Sequence, residues 1–444
     1  MDTQPEATPA AVPLQAKQAG EVRLRWIWTE PSVWTERMLT ALEYGVKGGV
    51  WFSLMDKVYS AANLQAGFGS VQANGGAAGV DHVKIDDFAK DLEANLDKLA
   101  RALWRGTYQP QAVRRVYIPK PDGTQRPLGI PTVRDRVVQT ALRHVLEPIF
   151  EQDFAEHSYG FRPGRGCQDA LRRVDQLLKS GHYHVVDADL KSYFDTIPHE
   201  RLMERIRSKV VDGRVLHLLE QFLTQGVLDG LKEWTPDEGT PQGAVISPLL
   251  ANIYLDPLDH LLAEQGLAMV RYADDFVILC RTPEEAQRAL ALVQQWTTQV
   301  GLTLHPTKTR LVDIRKESFE FLGYHFERTK SGINHWPKKK SLDKLKDTLR
   351  EKTKRTNGSA LQIIIIHVNR TLRGWFGYFK HSLKTTFAPI DRWVRMRLRS
   401  ILRKRSGRRG RGRGADHQRW PNAFFAKLRL YSLVEAHRMA CQSS

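Results

Sequence analysis

The central part of the chain alternates between short strand-like stretches and longer stretches with helical periodicity, and this alternation restricts the possible folds. Apolar stretches rich in β-branched residues cover residues 183–189, 268–273, 276–281 and 310–314. Helical spacing of apolar residues covers residues 133–149, 167–180, 199–210, 213–224, 247–264 and 283–300. Two of the strand-like stretches are joined by a tight turn, which is typical of an antiparallel hairpin. We therefore predict an α+β fold with an antiparallel sheet, and not a doubly wound fold.

The flanking segments extend this prediction. Helices are expected over residues 34–66 and 85–105, with a glycine-rich break at residues 67–79 between them. A hairpin is expected next, with strands at 113–118 and 126–130 on either side of a Pro-Asp-Gly turn. After residue 326 the pattern becomes helical and basic up to about residue 405, and Arg and Gly then alternate over residues 407–414.

The basic residues are concentrated in one block near the C-terminus. Residues 338–413 contain 24 Lys and Arg but only four Asp and Glu, a net charge of +20, whereas residues 1–330 have a net charge of −4. Such a block indicates a surface that binds a polyanion. A solvated, disordered tail is the alternative interpretation of a charge run. The 11 Trp residues and the 41% of hydrophobic residues favour a folded protein, because disordered chains lack aromatic residues.

Several classes of protein are excluded by what the sequence lacks. The three cysteines, Cys167, Cys280 and Cys441, are not spaced as a disulfide framework or a zinc site. Residues 1–20 have no apolar core, so we expect a disordered tail and not a signal peptide. The longest aliphatic run, at residues 363–366, is far shorter than the roughly 20 residues of a membrane span. We therefore expect no membrane association and a cytoplasmic location.

Aspartates follow two of the predicted strands. Asp274 and Asp275 lie at the tip of the predicted hairpin, and Asp189 ends the apolar run that begins at residue 185. An ordinary exposed turn would also explain the Asp-Asp pair. If the two strand ends are neighbours in one sheet, however, Asp189 and Asp274 face a common point. Such a cluster can hold two Mg²⁺ ions about 4 Å apart, which bracket the attacking and leaving oxygens of a phosphoryl transfer.

An ordered series of short motifs runs from about residue 67 to about residue 432. The series is NGGAAGVD at 74–81, IPKPDG at 118–123, RPLGIP at 126–131, SYGFRPGR at 158–165, GTPQG at 239–243, SPLLAN at 247–252, YADD at 272–275, KT at 308–309 and FLGY at 321–324. YADD is the signature of reverse transcriptases, and the whole series resembles the reverse transcriptases and maturases of bacterial group II introns. A single tetrapeptide would be weak support, whereas an ordered series of independent motifs is strong support.

The resemblance implies a right-hand polymerase architecture. We expect fingers, a palm that contains the antiparallel sheet, and an all-α basic thumb that is also the maturase domain. The expected boundaries are a disordered tail at 1–33, an N-terminal extension with fingers at 34–160, the palm at 161–326, the thumb at 327–406 and an Arg/Gly linker with a short C-terminal segment at 407–444. Members of this family often carry a C-terminal nuclease with paired cysteines. Cys441 is alone near the end, so we expect no nuclease, no DNA cleavage and a primer made elsewhere.

The resemblance assigns the catalytic metals to three carboxylates. Asp189, Asp274 and Asp275 are expected to hold two Mg²⁺ ions, or Mn²⁺ in their place, and to be catalytic. Lys308 matches a lysine proposed to protonate the departing pyrophosphate, although a lysine at such a junction is commonly just exposed. Asp187 and Asp195 do not fall on the metal positions.

Four residues resemble the family's nucleotide site. Lys120 and Arg126 match the pair that grips the triphosphate of the incoming nucleotide, for which a guanidinium fork and an ammonium are well suited; two exposed strand cations are the alternative. Phe194 matches the bulky residue under the sugar that blocks a 2′-hydroxyl, with core packing as the competing interpretation. Gln242 is expected to contact the nucleotide, and Gly243 to allow a close approach of the backbone.

The basic region resembles the maturase-specific segment of the family, most closely at NRTLRGWFGYF (369–379). Trp375, Tyr378 and Phe379 are spaced as core residues more than as base-stacking ones. The expected nucleic-acid-binding residues are cations: Arg162, Arg165, Arg370, Arg373, Lys380, Arg392, Arg395, Arg399 and Arg403. The Arg/Gly segment at 407–414 is either an RNA-binding linker or only a linker.

The leading hypothesis is an RNA-directed DNA polymerase that also binds group II intron RNA and promotes splicing and mobility. Its expected partners are the intron RNA, an RNA template with a DNA primer, dNTPs and target DNA. One alternative is a splicing or RNA-binding cofactor that no longer needs polymerase activity, although the catalytic residues are intact. A domesticated reverse transcriptase that works in defence is another.

Overall fold

The computed structural model describes residues 19–119, 123, 125–230, 232–240, 243–330, 332–408 and 414–442. Within them the helices are α1 (Ala19–Arg25), α2 (Glu36–Tyr44), α3 (Met55–Val58), α4 (Ala61–Asn74), α5 (Ile85–Lys90), α6 (Leu92–Arg105), α7 (Val133–Glu151), α8 (Cys167–Lys179), α9 (His199–Arg207), α10 (Gly213–Leu223), α11 (Ser247–Glu264), α12 (Pro283–Gln299), α13 (Lys339–Lys352), α14 (Leu361–Phe379), α15 (Phe387–Arg405), α16 (Gly414–Arg419), α17 (Asn422–Lys427) and α18 (Leu433–Gln442). The strands are β1 (Val113–Pro119), β2 (Gln125–Ile130), β3 (His184–Asp189), β4 (Val227–Asp229), β5 (Lys232–Trp234), β6 (Ala268–Tyr272), β7 (Asp275–Cys280), β8 (Arg310–Asp313), β9 (Phe319–Phe321), β10 (Tyr324–Thr329) and β11 (Gly332–Pro337).

The strands form three sheets in the described part of the chain. Sheet I has the order β2-β1-β4-β5, sheet II the order β6-β7-β3-β8, and sheet III the order β11-β10-β9. In sheet I, β1 and β2 pair antiparallel with Ile118 opposite Arg126, and β1 pairs parallel with β4. The predicted α+β fold with antiparallel hairpins is confirmed, and the strands of sheet II lie where their apolar stretches predict them.

Contacts divide the chain into two compact units. The first comprises Met1–Ala170, Ala188–Ile278 and Gln287–Arg310, and the second comprises Leu171–Asp187, Leu279–Ala286 and Leu311–Ser444, in each case as far as the structure describes them. Helix α7 is central to the first unit, because its apolar residues from Val133 to Phe150 are buried all around the helix. Among the described residues, no helix is both long and apolar enough to span a membrane.

The glycine-rich break begins later than predicted. Helix α4 continues to Asn74, so Gly67 lies inside the helix and the chain turns only at Gly75, where φ is +66°. A Cβ atom on Gly67 would lie 3.0 Å from the carbonyl oxygen of Val137 on α7. Gly67 therefore allows α4 and α7 to pack closely. A glycine in the sequence can mark either such a close contact or a turn, and the sequence alone does not show which.

The prediction of a disordered tail is wrong for residues 19–33. This segment forms α1 and the turns that follow it, and the side chains of Trp26 and Val33 are buried. The neighbouring Trp34 donates a hydrogen bond of 2.8 Å from Nε1 to the carbonyl oxygen of His144 on α7. Residues 1–18, also predicted to be disordered, lie outside the described residues.

The helical thumb has different limits from those predicted. Strands β10 and β11 pair antiparallel, with Phe326 opposite His335, so the helices begin only at Lys339. At the other end, Trp420, Phe425 and Leu433 belong to the same apolar core as Leu349, and further core residues come from α14 and α15. The predicted boundary at residue 406 is therefore too early, since the chain beyond it completes the core.

Candidate active site

The acidic strand ends of sheet II meet in the first unit. Strand β3 ends at Asp189, its neighbour β7 begins at Asp275, and Asp274 lies in the turn between β6 and β7. Burial raises the pKa of Asp274 above its ordinary value, and the negative charge of Asp189 raises it further. Arg126 and Arg271 act in the opposite direction. The prediction that β3 and β7 are neighbours is thus confirmed. The charges of Asp189 and Arg126 are close enough to Asp274 to shift its pKa.

Lys308 lies against this acidic pair. Its Nζ atom is 2.5 Å from Oδ2 of Asp189. The backbone of the same segment is fixed as well, because the amide of His305 donates a 2.7 Å hydrogen bond to the carbonyl oxygen of Asp189. The side chain of Lys308 is 62% exposed, so its ammonium group is accessible to a substrate from solvent. Lys308 therefore lies beside Asp189, in what we call the acidic cluster (Asp189, Asp274 and Lys308), and its role as a proton donor stays a prediction.

The donor set is suited to a hard divalent cation. The negative charge of Asp189 opposes ionisation of Asp274, and a cation bound next to both carboxylates would offset this repulsion. Mg²⁺ needs only one or two protein carboxylates, because it keeps several of its water ligands. Among the described residues, no three His, Cys, Asp or Glu side chains are grouped as a metal site. The structure thus brings Asp189 and Asp274 together, and the participation of Asp275 stays a prediction.

The turn that carries Asp274 rests on the motif SYGFRPGR. Ala273 has a φ of +61°, which an L-residue adopts only where its surroundings enforce it. The backbone of Gly160 lies directly against this turn, since a Cβ atom there would be 2.2 Å from the amide nitrogen of Ala273. The amide of Tyr159 donates a 2.9 Å hydrogen bond to the carbonyl oxygen of Arg271. The glycine is therefore required by contact with the catalytic turn.

A buried polar network that the sequence motifs do not indicate also contacts this turn. Arg271 is fully buried and forms an ion pair with Asp259, with Nε 2.8 Å from Oδ1. Its Nη1 donates to Oδ1 of Asn252 and to the carbonyl oxygen of Ala273, both at 2.9 Å. Asn252 in turn donates from Nδ2 to the carbonyl oxygen of Gly160 at 2.8 Å. Asn252 and Asp259 lie two helical turns apart on the largely apolar α11, and this spacing of polar residues is the feature of the sequence that could have indicated the network.

The predicted nucleotide-binding residues are only partly described. Arg126 is exposed on β2, and its positive charge acts to lower the pKa of Asp274. Phe194 is half-buried in a 3₁₀ turn (Tyr193–Asp195) that follows β3, with its ring centroid 5.5 Å from that of Tyr193. Lys120 and Gln242 lie outside the described residues.

Two described residues of the GTPQG motif, Thr240 and Gly243, contact the turn at Phe194 and sheet I. The amide of Thr240 donates a 2.6 Å hydrogen bond to the carbonyl oxygen of Phe194. Gly243 has a φ of +105°, and a Cβ atom there would lie 2.4 Å from the carbonyl oxygen of Gly129 on β2. Gly243 therefore allows a close backbone approach to β2, which also carries Arg126, and its part in a nucleotide site stays a prediction.

Two arginines of the first unit do not fit the predicted role in nucleic-acid binding. Arg162 is buried, and its guanidinium binds the carboxylate of Glu151, with Nη2 2.7 Å from Oε1, and the carbonyl oxygen of Ser158 at 2.8 Å. Arg165 is half-buried and donates to the carbonyl oxygen of Glu156. Both guanidiniums therefore bind the protein, and we correct their role to a structural one that shapes the segment next to the catalytic turn.

The basic residues of the second unit fall into two groups. Arg399 is buried and donates to the carbonyl oxygen of Trp420 and to Asn422, both at 2.9 Å, while Arg403 pairs with Asp416 at 2.7 Å. These two arginines fix the C-terminal helices, so their predicted role in binding nucleic acid is corrected to a structural one. The other predicted cations are exposed or, for Arg395, half-buried; they are Arg370, Arg373, Lys380, Arg392 and Arg395.

The aromatic residues of α14 lie in the protein interior, as predicted. Phe379 is buried and packs at 5.0 Å from the ring of Tyr324, and Trp375 packs at 4.9 Å from Phe379. Tyr378 donates from its hydroxyl to the carbonyl oxygen of Leu322 at 2.8 Å. The C-terminal part of α14 therefore packs on the FLGY motif.

Comparison with known proteins gives two family matches. The model described as "Reverse transcriptase (RNA-dependent DNA polymerase)" matches residues 118–326, and the model described as "Group II intron, maturase-specific domain" matches residues 342–420. The first match contains Asp189, Asp274 and Lys308, and the second contains the exposed cations of α14 and α15.

Relatives with similar sequences include bacterial proteins. Protein YkfC of Escherichia coli is 36% identical over 292 residues, which are 57% of this chain and 76% of YkfC. The group II intron-encoded protein LtrA of Lactococcus lactis is 39% identical over 202 residues, which are 45% of this chain. The matched region is 33% of the length of LtrA. A solved Cas6-RT-Cas1–Cas2 complex is 25% identical over 56% of this chain and 42% of that chain, with a TM-score of only 0.36.

The two matched regions follow each other along the chain in the order that the motif series predicts. The match to YkfC covers most of that protein, and the two family models identify a polymerase domain followed by a maturase-specific domain. The chain therefore belongs to the group II intron reverse transcriptases, a family of RNA-directed DNA polymerases that carry a maturase domain.

Proposed function

We propose that this protein copies RNA into DNA by adding dNTPs to a primer, with two Mg²⁺ ions held by Asp189, Asp274 and Asp275. The observation that supports this proposal is the meeting of Asp189, Asp274 and Lys308 at the ends of neighbouring strands, with Arg126 in electrostatic reach. The metal ions, or Mn²⁺ in their place, would supply positive charge that stabilises the reacting phosphate.

The side chains of the chain itself have distinct tasks in this proposal. Arg126 binds the triphosphate together with Lys120, since a guanidinium forms paired hydrogen bonds with phosphate oxygens. Lys308 holds a proton next to Asp189, where it is available to the departing pyrophosphate. Phe194 presents a half-buried ring that leaves no room for a 2′-hydroxyl, and Gln242 contacts the same nucleotide. Each group aligns substrate or charge, because phosphoryl transfer requires little covalent chemistry of side chains.

The maturase domain extends the proposal to RNA partners. We assign the exposed cations of α14 and α15, with Lys380 just after α14, to the phosphates of group II intron RNA and of the RNA template with its DNA primer. Target DNA is a further partner on the same electrostatic grounds, and promotion of splicing and mobility is the expected result of intron binding. These cations are accessible, in contrast to the buried Arg399.

Primer extension on an RNA template tests the polymerase. Asp274→Asn keeps the shape of the side chain and removes its charge, so we expect Mg²⁺-dependent extension to be lost while RNA affinity is retained. Asp97→Asn is the matched control, because Asp97 is exposed on α6 and pairs with Arg101 in the next turn of the helix. Robust extension by Asp274→Asn would refute the assignment of the acidic cluster. A splicing assay with the same variant separates the maturase function from the polymerase.

A further inference from the structure

A cavity of about 550 Å³ opens in the second unit, in the volume range of ligand sites. It is bounded by the hairpin β10-β11, by α13, by the 3₁₀ turn Lys384–Thr386 and by α15. Its apolar lining includes two tryptophans, Trp336 and Trp393, and the aliphatic residues Leu342, Leu383 and Ile390. No residue of this cavity has a role in the polymerase site described above.

Both tryptophans are half-buried and held by neighbours. The ring of Trp336 on β11 lies 5.1 Å from that of His325. Trp393 on α15 has the guanidinium carbons of Arg350 and Arg397 at 5.8 and 5.9 Å from its ring centroid. Arg397 is itself fixed, because Nε donates a 3.0 Å hydrogen bond to Oγ1 of Thr353. The rings are therefore positioned before any ligand arrives, as a stacking surface requires.

The charge around the cavity is positive. Lys346 is among the lining residues, which include no Asp or Glu. Near Trp393, burial and the positive charges of Arg350 and Arg355 lower the pKa of Arg397. Of these three arginines, Arg350 forms an ion pair with Asp347. Cations that repel one another favour an anionic ligand. An apolar peptide would use the tryptophans but not the cations, whereas a nucleotide uses both.

We propose that this cavity receives a single unpaired nucleotide of a bound RNA, whose base stacks on Trp336 or Trp393 and whose phosphate contacts Lys346. The inference rests on the proposed binding of RNA by the maturase domain and specifies one feature that the RNA must have. A base inside a duplex cannot reach a cavity lined by side chains, so the nucleotide comes from a bulge, a loop or an end. Thr385 and Thr386 also line the cavity, and a threonine hydroxyl can hydrogen-bond a base or a ribose.

Two RNA hairpins test the inference, identical except that one contains a single bulged nucleotide. By fluorescence anisotropy, the full chain should bind the bulged hairpin about ten-fold more tightly, within the range of base–aromatic stacking. Trp336→Leu and Trp393→Leu should lose this preference and keep the affinity for the hairpin without the bulge. Trp104→Leu is the control, because Trp104 is 59% exposed on α6 in the first unit.

Leu342→Trp provides an independent variant, because it fills the cavity and removes no aromatic ring. It should also lose the preference for the bulged hairpin, and thermal unfolding of each variant shows whether it is folded. Equal affinities of the wild-type chain for the two hairpins would overturn the inference and leave an apolar protein segment as the occupant. A preference retained by both tryptophan variants would overturn it as well. A chain that binds neither hairpin would instead refute the proposed RNA binding itself.

Discussion

Gly160→Ala changes the catalytic turn without touching a charged or substrate-facing group. The added Cβ atom would lie 2.2 Å from the amide nitrogen of Ala273, whereas ordinary contacts begin at 3.4 Å, so one of the two backbones must move by about 1.2 Å. A misplacement of about 1 Å in an active site can lower the rate about 100-fold. That loss corresponds to about 2.7 kcal/mol in the activation free energy. We expect kcat to fall by this factor, because Asp274 follows Ala273 directly.

Steady-state primer extension, measured well below the melting temperature, is the assay. Overpacking of this kind costs about 1–3 kcal/mol of folding stability, so thermal unfolding and RNA affinity are measured on the same preparation. Gly69→Ala is the matched control, because Gly69 is exposed on α4 with no atom within 4 Å of the added Cβ. That variant should keep its kcat and gain up to about 1 kcal/mol of stability. A Gly160→Ala protein with wild-type kcat and an unchanged melting temperature would refute the proposed contact.

Three further outcomes are expected. Phe194→Ala should raise ribonucleotide incorporation by about 100-fold, the discrimination of an apolar wall against a hydroxyl; an unchanged ratio of kcat/KM for rNTP and dNTP would exclude the steric role. Because the pKa of Asp274 is raised in the folded chain, the stability that protonation of its carboxyl confers is present at acid pH and is lost as pH rises through the raised pKa. Asp274→Asn should therefore raise the melting temperature at pH 7 more than at pH 4. A variant that melts below the wild-type chain at pH 7 would contradict the inference that the ionised Asp274 carboxylate is destabilised by burial. Replacing both Arg370 and Arg392 by Gln should reduce the slope of log affinity against log salt by about 1.5, since each phosphate contact contributes about 0.7–0.9; an unchanged slope would show that these cations do not contact RNA.

The acidic cluster could be predicted because its determinants are local. Each strand of sheet II is an apolar run long enough to identify, and the aspartates follow directly, as at Asp189 and Asp274. The structure adds the partners that only folding brings together. Lys308 contacts Asp189 across 119 residues of sequence, and no pattern in the sequence shows this contact.

The arginines show where sequence patterns are insufficient. Arg370 and Arg399 both lie in helices of the basic block, yet one is exposed and the other is buried. The difference comes from Trp420 and Asn422, which accept hydrogen bonds from Arg399 and belong to a segment predicted to lie outside the domain. Helical periodicity gives the face on which a residue lies, but not which other segment will cover that face. Buried arginines are therefore assigned only once the covering segment is known.

The network around Arg271 has a consequence for building chimeras from members of this family. Arg271 lies beside the YADD turn, Asn252 and Asp259 lie on α11, and Gly160 lies in the SYGFRPGR segment, so one hydrogen-bonded group is encoded by three separate stretches. A crossover that joins these stretches from different parents would leave a buried charge unpaired wherever a partner differs. The loss of one member of a buried ion pair costs about 3–5 kcal/mol, a large part of the stability of a typical domain. Recombination points should therefore lie outside residues 157–275, so that Gly160, Asn252, Asp259 and Arg271 are inherited together with the turn that carries Asp274.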